Sequence, residues 1–403
     1  MGADIASIGP WLKQVYGKKE NIIRLMVDDD KLLNEFQEST VYQAGEEAII
    51  ALHTSRNAPT MFGERGGQLN PAGSQSTNRA KYRYKQIQQP VQIDEASIER
   101  SNNDMKAIAN IVDLEMTGAL ADVRKHLKRI IFADGTAQIA QCGTTTATNV
   151  IALNATSGGD ALERGQLYVG MPVDIGTSTD EDALVADAEI ISVDDTAGAP
   201  TITISTSITT TSNHSVSLAN SRRDSTSFEG NGFKNIVSTT TTVGDLAPAT
   251  EPKWKASYVD TTSQDLTLDL LLLLDRKIKQ NSGKKGDMIL TSLAQEANFY
   301  QLLQQQVHFA SDKVDAGDVE SARWRGMKVM GDVDCPNGDL YLFVKKHFLP
   351  MASRAPFWSK PGSGENILQW VPGTTFHAAK LAYHYEYGVD DRRAFARLSN
   401  LTT

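Results

Sequence analysis

The chain has 403 residues, of which 40% are hydrophobic and 22% charged, and its formal net charge is −9. That balance excludes wholesale disorder and an overall basic nucleic-acid footprint, and the length calls for two or three domains. Only two cysteines occur, Cys142 and Cys335. They exclude a disulfide framework and a multi-cysteine zinc site and suit a reducing compartment. The opening MGADIASIGPWLKQ has no basic stretch followed by an apolar one, and position 6 is Ala where myristoylation wants Ser or Thr. The longest apolar runs, such as 270–274, are far short of the roughly 20 residues a membrane span needs. The expectation is a soluble intracellular protein without a membrane partner.

Residues 1–54 read as a polar arm followed by helical pattern. Ile22, Ile23, Leu25 and Met26 cluster, Leu32, Leu33 and Phe36 recur at helical spacing, and so do Ala48, Ile49 and Leu52. From 55 to 78 the composition turns to Gly, Pro, Ser and Asn, which builds no core and reads as an exposed loop. In the following AKYRYKQIQQPVQI, Lys81, Arg83 and Lys85 alternate with Tyr82 and Tyr84. Alternation of this kind predicts a strand with a basic and an aromatic face, and Pro90 confines it to an edge or an end. Residues 55–93 are therefore expected to form a projecting two-stranded arm, which needs a partner because a lone hairpin is marginal in water.

Over 94–132, Ile98, Met105, Ile108, Val112, Met116, Ala119, Val123, Leu127 and Ile130 recur every three, four or seven residues. Asp94 is the expected N-cap, and Gly135 lies just past the end. A helix over this segment spans roughly 58 Å, so its single apolar stripe must lie across a sheet or other subunits. Residues 164–222 switch to β character: GMPVDI, AEIISVDD, PTITISTSITTT and HSVSLA alternate between short turns, the pattern of a small antiparallel barrel or sandwich. Ile202, Ile204 and Ile208 keep an even register there.

Beyond 222 the pattern is mixed. A helix over 264–280 is stopped by Gly283, the strand 287–290 leads into a helix over 293–306, and GMKVMGD and DLYLFVK are two strands around the turn CPNG. Two further strands close the chain about a turn at 388–390. The order of elements is α+β.

Signatures of catalysis do not accumulate. GxSxG, HExxH, a Walker loop and CxxC are all missing. Gly283-Lys284-Lys285-Gly286 follows a helix where a phosphate loop follows a strand. Asp332-Val-Asp334 hints at a calcium loop, but Pro336 stands where an oxygen ligand belongs, and a hairpin turn is the better reading. The seven histidines have no metal spacing, although His377 and His384 fall on one strand. Cys142 has no histidine near it in sequence. The expectation is no enzyme, no metal and no cofactor. Near the end of the long helix, Arg124, Lys125, Lys128 and Arg129 suit the helix dipole, but their like-charge i,i+4 pairs call for an acidic neighbour or a nucleic-acid phosphate.

The run DEASIERSNNDMKAIANIVDLEMTGALADVRKHLKRIIFADGT resembles the spine helix of tailed-phage major capsid proteins of the Hong Kong 97 fold. GDMILTSLAQEANFYQLL and ARWRGMKVMGDVDCPNGDLYLFVKKHF are similar to that family's axial-domain pattern, and HYEYGVDDRRAFARLSNL to its last strands. The resemblance implies an N-terminal arm and helix over 1–54 and an extended loop over 55–93. It implies a peripheral domain over 94–163 with its spine helix over 94–132. Residues 164–222 depart from the simplest members and read as an inserted β domain. An axial domain with parts of the peripheral domain follows over 223–370, then C-terminal strands over 371–403.

The function this implies is a major capsid protein that assembles as hexamers and pentamers into an icosahedral shell around a double-stranded DNA genome. Such a shell is built in the host cytoplasm and ends in the virion. It implies contact with a scaffolding protein and a portal protein, a decoration protein as a further candidate, and DNA enclosed without sequence-specific binding. Inter-subunit contact is expected from the extended loop through Arg65, Lys81, Tyr82, Arg83, Tyr84 and Lys85. Inner-surface or neighbour contact is expected from Arg124, Lys125, Lys128 and Arg129. The rival readings are an encapsulin-type compartment on the same fold and a phage tail or baseplate component.

Overall fold

The structure, a computed structural model, describes residues 31–36, 43–57, 71, 73–95, 105–177, 184–196, 198–223, 226–306, 323–359 and 367–402. It divides into two compact units. One gathers Met1–Glu38, Tyr84–Gly230 and Ala352–Glu386, the other Ser39–Arg83, Asn231–Met351 and Tyr387–Thr403. Among the described residues, no helix is long and apolar enough to cross a membrane.

In the first unit, Leu32 and Phe36 are buried at the short helix Lys31–Glu35, as their helical spacing predicts. The strand Lys85–Asp94 pairs antiparallel with the long strand Phe376–Val389, from Asp94 opposite Phe376 to Lys85 opposite Tyr385. Asp94 ends this strand and Glu95, directly after it, is helical, so the switch from strand to helix falls at the expected boundary. The alternation buries Val91 and Ile93. The long helix is described over Met105–Phe132, and 96–104 lie outside the described residues. Met116, Ala119, Leu120, Val123, Leu127 and Ile130 to Phe132 form its buried stripe, and the helix packs on the strand Lys85–Asp94.

The β domain begins earlier than its alternation suggested. Its six strands run Gln138–Gln141, Ser215–Leu218, Pro172–Gly176, Val185–Asp194, Thr201–Thr210 and Thr145–Ala152 in spatial order. An antiparallel bridge between Cys142 and Leu153 joins the two ends of this order, with Gly143 N–H donating to Ala152 O at 2.7 Å. The sheet thus closes on itself. Inside it, Ile139, Ile151, Val173, Ile175, Ile190, Ile202, Ile204 and Val216 form one apolar core, joined by Ala161 and Leu162 of the helix Ala155–Glu163. Burying each large aliphatic side chain there contributes about 1.5–3 kcal/mol. The boundary at 164 separates strands that share this core, so it falls inside the domain rather than at its edge.

In the second unit, a six-stranded mixed sheet runs Ser257–Gln264, Phe395–Leu401, Leu340–Phe343, Met288–Ser292, Met327–Asp332 and Arg323–Trp324 in order. The strands on either side of CPNG do not pair with each other. Met288–Ser292 lies between them, parallel to one and antiparallel to the other, so CPNG is a crossover and not a hairpin turn. The helices Leu268–Ser282 and Leu293–Gln306 fall where the sequence puts them. Thr267 Oγ1 accepts from Leu270 N–H at the start of the first, and Gly283 takes φ 71° at its end, a left-handed conformation that favours glycine. Residues 48–52, read as helical, belong instead to the strand Glu47–Ser55.

A single buried cation organises one side of this unit. Arg392, 0% exposed, donates from Nε to Ile236 O, from Nη1 to Thr241 O and Trp254 O, and from Nη2 to Asn235 O, Ser238 O and Thr241 Oγ1. No carboxylate is among these six acceptors. Burial pushes the guanidinium down to about 10, which leaves it charged at neutral pH. Beside it Phe233 stacks on Phe348 with ring centroids 4.7 Å apart and also meets Phe343 and Phe395. Replacing Arg392 by Leu strands those acceptors without donors, at about 1–3 kcal/mol each where buried. That sum rivals the whole stability of a domain, about 5–15 kcal/mol. An Arg392→Leu chain should fail to accumulate in folded form. Arg392→Lys keeps the charge but not the fork of donors, and should unfold at clearly lower denaturant than the parent chain. Equal midpoints in chemical denaturation would show the network to be dispensable.

Candidate assembly surfaces

The projecting element is a hairpin, shifted from its expected place. Glu47–Ser55 pairs antiparallel with Ser76–Arg83, from Glu47 opposite Arg83 to Ser55 opposite Ser76. Its root is packed and its far part is not. Ala48, Ile50, Ala80 and Tyr82 are buried, whereas Ala51, His53, Ser55, Arg56, Thr77 and Arg79 are exposed. Residues 58–70, Arg65 among them, lie outside the described residues.

Tyr82 corrects the expectation of a contact between subunits. It is 1% exposed, its hydroxyl donates to Val389 O at 2.8 Å, and it accepts from Val389 N–H at 3.2 Å. Gly388 permits this approach, because a Cβ there would stand 3.1 Å from the tyrosine ring. Gly244 permits the other side. It has φ +64°, a Cβ on it would fall 2.9 Å from that of Ala80, and its carbonyl accepts from Lys81 N–H. Lys81 itself is half-buried, while Arg83 is exposed and pairs with Glu47 at 3.1 Å and Asp245 at 3.8 Å. The alternation that suggested one continuous ribbon ends at Tyr84, where the chain leaves one sheet for another. Tyr84 is half-buried, and burial raises its phenol above the ordinary range. Lys85 Nζ donates to Ser227 O at 2.8 Å.

The strand Lys85–Asp94 is an edge strand. Its sole strand partner among the described residues is Phe376–Val389, and Gln86, Gln88, Pro90 and Gln92 are exposed along it. Pro90 sits where an edge tolerates a missing donor. At the end of the same sheet, Trp370 is 55% exposed and Phe376 41%, on one tight hairpin in which Val371 N–H donates to Phe376 O. Sequence reasoning passed over this pair because two aromatics in a short polar stretch carry no periodicity.

The four cations of the long helix separate into different environments. Arg129 is 6% exposed and pairs with Glu229, itself 8% exposed, so it offers no charge to a neighbour or to DNA. The acid its surroundings called for comes from its own chain. Lys125 lies over the Tyr168 ring, 5.6 Å from the centroid, and Arg124 and Lys128 are half-buried. His126, between them, is pushed down to about 4 by burial first and then by Arg129 and Lys125.

The residues tried as catalytic groups are not assembled for chemistry. Burial pushes the Cys142 thiol up to about 12, so it holds its proton at neutral pH. His377 is buried, and His384, seven residues on along the same strand, stacks on Phe357. Among the described residues, no group of three or more His, Cys, Asp or Glu side chains is placed to hold a metal ion. Asp332 Oδ1 accepts from Asp334 N–H at 2.9 Å, closing a turn by itself.

No family model matches the sequence, and no curated protein is similar to it at a significant level. Solved structures are similar in fold. The capsid asymmetric unit of cyanophage A-1(L) aligns with TM-score 0.57 at 12% identity, covering 92% of this chain and 93% of that one. The fold is that of Hong Kong 97-type phage capsid proteins. The capsid of a native GTA particle aligns with TM-score 0.47 at 8% identity, covering 91% of this chain and 88% of that one. The SrpI encapsulin of Synechococcus elongatus PCC 7942 aligns with TM-score 0.45 at 11% identity, covering 92% and 87%. The Hong Kong 97-type architecture accounts for a chain whose distinctive features are a hairpin, an edge strand and a long helix.

Two measurements test how these elements are held. Tyr82→Phe deletes both hydrogen bonds to Val389, and its expected cost is about 1–3 kcal/mol. Hydrogen exchange should quicken across 76–83 more than across the β domain, and an unchanged rate there would remove Tyr82 as the anchor. For His126, the folded value of about 4 lies below the ordinary 6.5. The unfolded chain therefore binds a proton that the folded chain refuses, and stability falls as pH drops from about 6.5 to about 4. His126→Gln should flatten that part of the stability profile.

Proposed function

We propose that the chain is a major capsid protein that assembles as hexamers and pentamers into the icosahedral shell of a tailed phage, enclosing double-stranded DNA. The observation that carries this reading is the alignment with a phage capsid subunit over 92% of the chain and 93% of the counterpart, which leaves little of either unmatched. The physical character of the exposed elements supports it. A hairpin anchored at one end, an edge strand with a free side and an exposed aromatic pair are each weak alone, and in a closed symmetric assembly many such contacts add.

In this reading the hairpin 47–83 is the extended loop, the helix Met105–Phe132 the spine, and the closed β domain 138–218 an insertion on the shell surface. Contact with neighbouring subunits falls to Arg65 and to the outward side of Lys81 and Arg83. Tyr84 precedes and Lys85 begins the adjoining strand, where Lys85 donates to Ser227 O. Of the helix cations, Lys125 is exposed and best placed to meet an inner surface or a neighbour. A scaffolding protein directs assembly in the host cytoplasm, a portal protein occupies one vertex, and the outer face is open to a decoration protein. The subunit performs no chemistry of its own.

Negative-stain electron microscopy of the recombinant chain, with and without a co-expressed scaffolding protein, tests the reading. Closed shells, or rings of six and five, are expected. A small monodisperse oligomer under every condition would overturn it. Shells that purify with a protein cargo and no DNA would transfer the chain to the compartment class.

A further inference from the structure

In the second unit, a polar cleft of about 470 Å³ opens beside the hairpin. The strand residues 51–55 and Arg56 line it, with Lys253, Lys284, His347, Asp390, Asp391 and Arg393. Four permanent cations thus face two carboxylates, in a chain whose net charge is −9.

The carboxylates are already engaged. Asp391 takes Lys284 Nζ at 2.6 Å and Arg393 Nε at 2.9 Å, and Asp390 Oδ1 lies 2.6 Å from His347 Nδ1. Neither acid is available to balance Arg56 or Lys253, both exposed. His347 is 8% exposed, and its Nε2 has no hydrogen-bond partner. The strand Glu47–Ser55 pairs on one side with Gln43–Ala44 only at Glu47 and Ala48, and past Ala48 that edge has no strand partner among the described residues. The volume is that of a small-molecule site and too narrow for a duplex.

We infer that this cleft binds a small multivalent phosphate through Arg56, Lys253, Lys284 and Arg393, with His347 presenting its unpartnered Nε2 to the same cleft.

The probe is tripolyphosphate, titrated into the purified full chain by calorimetry, with inorganic phosphate and a short duplex oligonucleotide as parallel arms. Saturable binding of tripolyphosphate is expected. Arg56→Ala with Lys253→Ala removes two exposed cations that support no fold contact, and should weaken binding about 10-fold or more. No saturable heat, or unchanged affinity in the double variant, overturns the site. So does duplex binding that tripolyphosphate does not displace, which would assign the cations to a nucleic-acid backbone.

Discussion

Arg392 is the constraint on which the second unit depends. A buried charge without a counter-ion is tolerable only when every donor is satisfied, and here backbone carbonyls satisfy them. Those carbonyls come from a stretch with little regular structure, between the short helix Phe233–Ile236 and Trp254. A segment of this kind cannot pair its own polar groups in a ladder, so it needs an external donor to be buried at all. The guanidinium supplies that donor at six points and lets the Phe233 ring enter the aromatic cluster around Phe348. The second ionic lock of the unit works differently. Arg397 grips Asp339 with two nitrogens and lies over the Tyr258 and Tyr341 rings, pinning neighbouring strands by charge and packing together.

The hairpin shows how the same unit divides rigidity from reach. At its root, Gly244 and Gly388 are places where a Cβ would collide, and Tyr82 fills the space they leave. A few residues further out, the side chains meet mainly solvent. Local stability must therefore decline along the hairpin, since few buried contacts oppose opening there. Under the proposed capsid role, this gradient is useful. A fixed root aims the element, and a loosely held far part conforms to whatever surface it meets without the cost of deforming a packed core.

The parts of the fold that were legible in the sequence are those whose own residues carry the periodicity. Ile202, Ile204 and Ile208 alternate because one face of their strand is buried, and Thr267 and Gly283 bracket a helix because its ends demand a cap and a left-handed turn. What escaped depends on partners. Ala48-Ile49-Ile50-Ala51-Leu52 is a short apolar run that fits helix and strand alike, and the pairing with 76–83 decides it. Residues 145–152 bury only Ile151 and leave the rest half-buried or exposed, so the strand that closes the β domain has almost no apolar pattern to read. The acceptors of Arg392 are carbonyls, which every residue possesses, and Glu229 gives no local sign that it faces Arg129 across 100 positions. Of the loop residues expected at an interface, Tyr82 was misplaced for a related reason: alternation reveals two faces of a strand but not which of them is covered.

Charge placement follows the same division. Arg129, Arg222 and Arg392 are buried, and Arg397 is only 12% exposed against Asp339. Much of the chain's strongest hydrogen-bonding cationic chemistry is thus turned inward, where it binds carbonyls and carboxylates of the same subunit. Among the described residues the buried acids outnumber these guanidinium groups, with Asp174, Glu229, Asp275, Asp332, Asp334, Asp339, Glu386 and Asp391 also turned inward. In the cleft beside the hairpin the cations outnumber the acids, and two of them face solvent. Its volume suits a small anion and not a duplex, so charge and size together select what enters it.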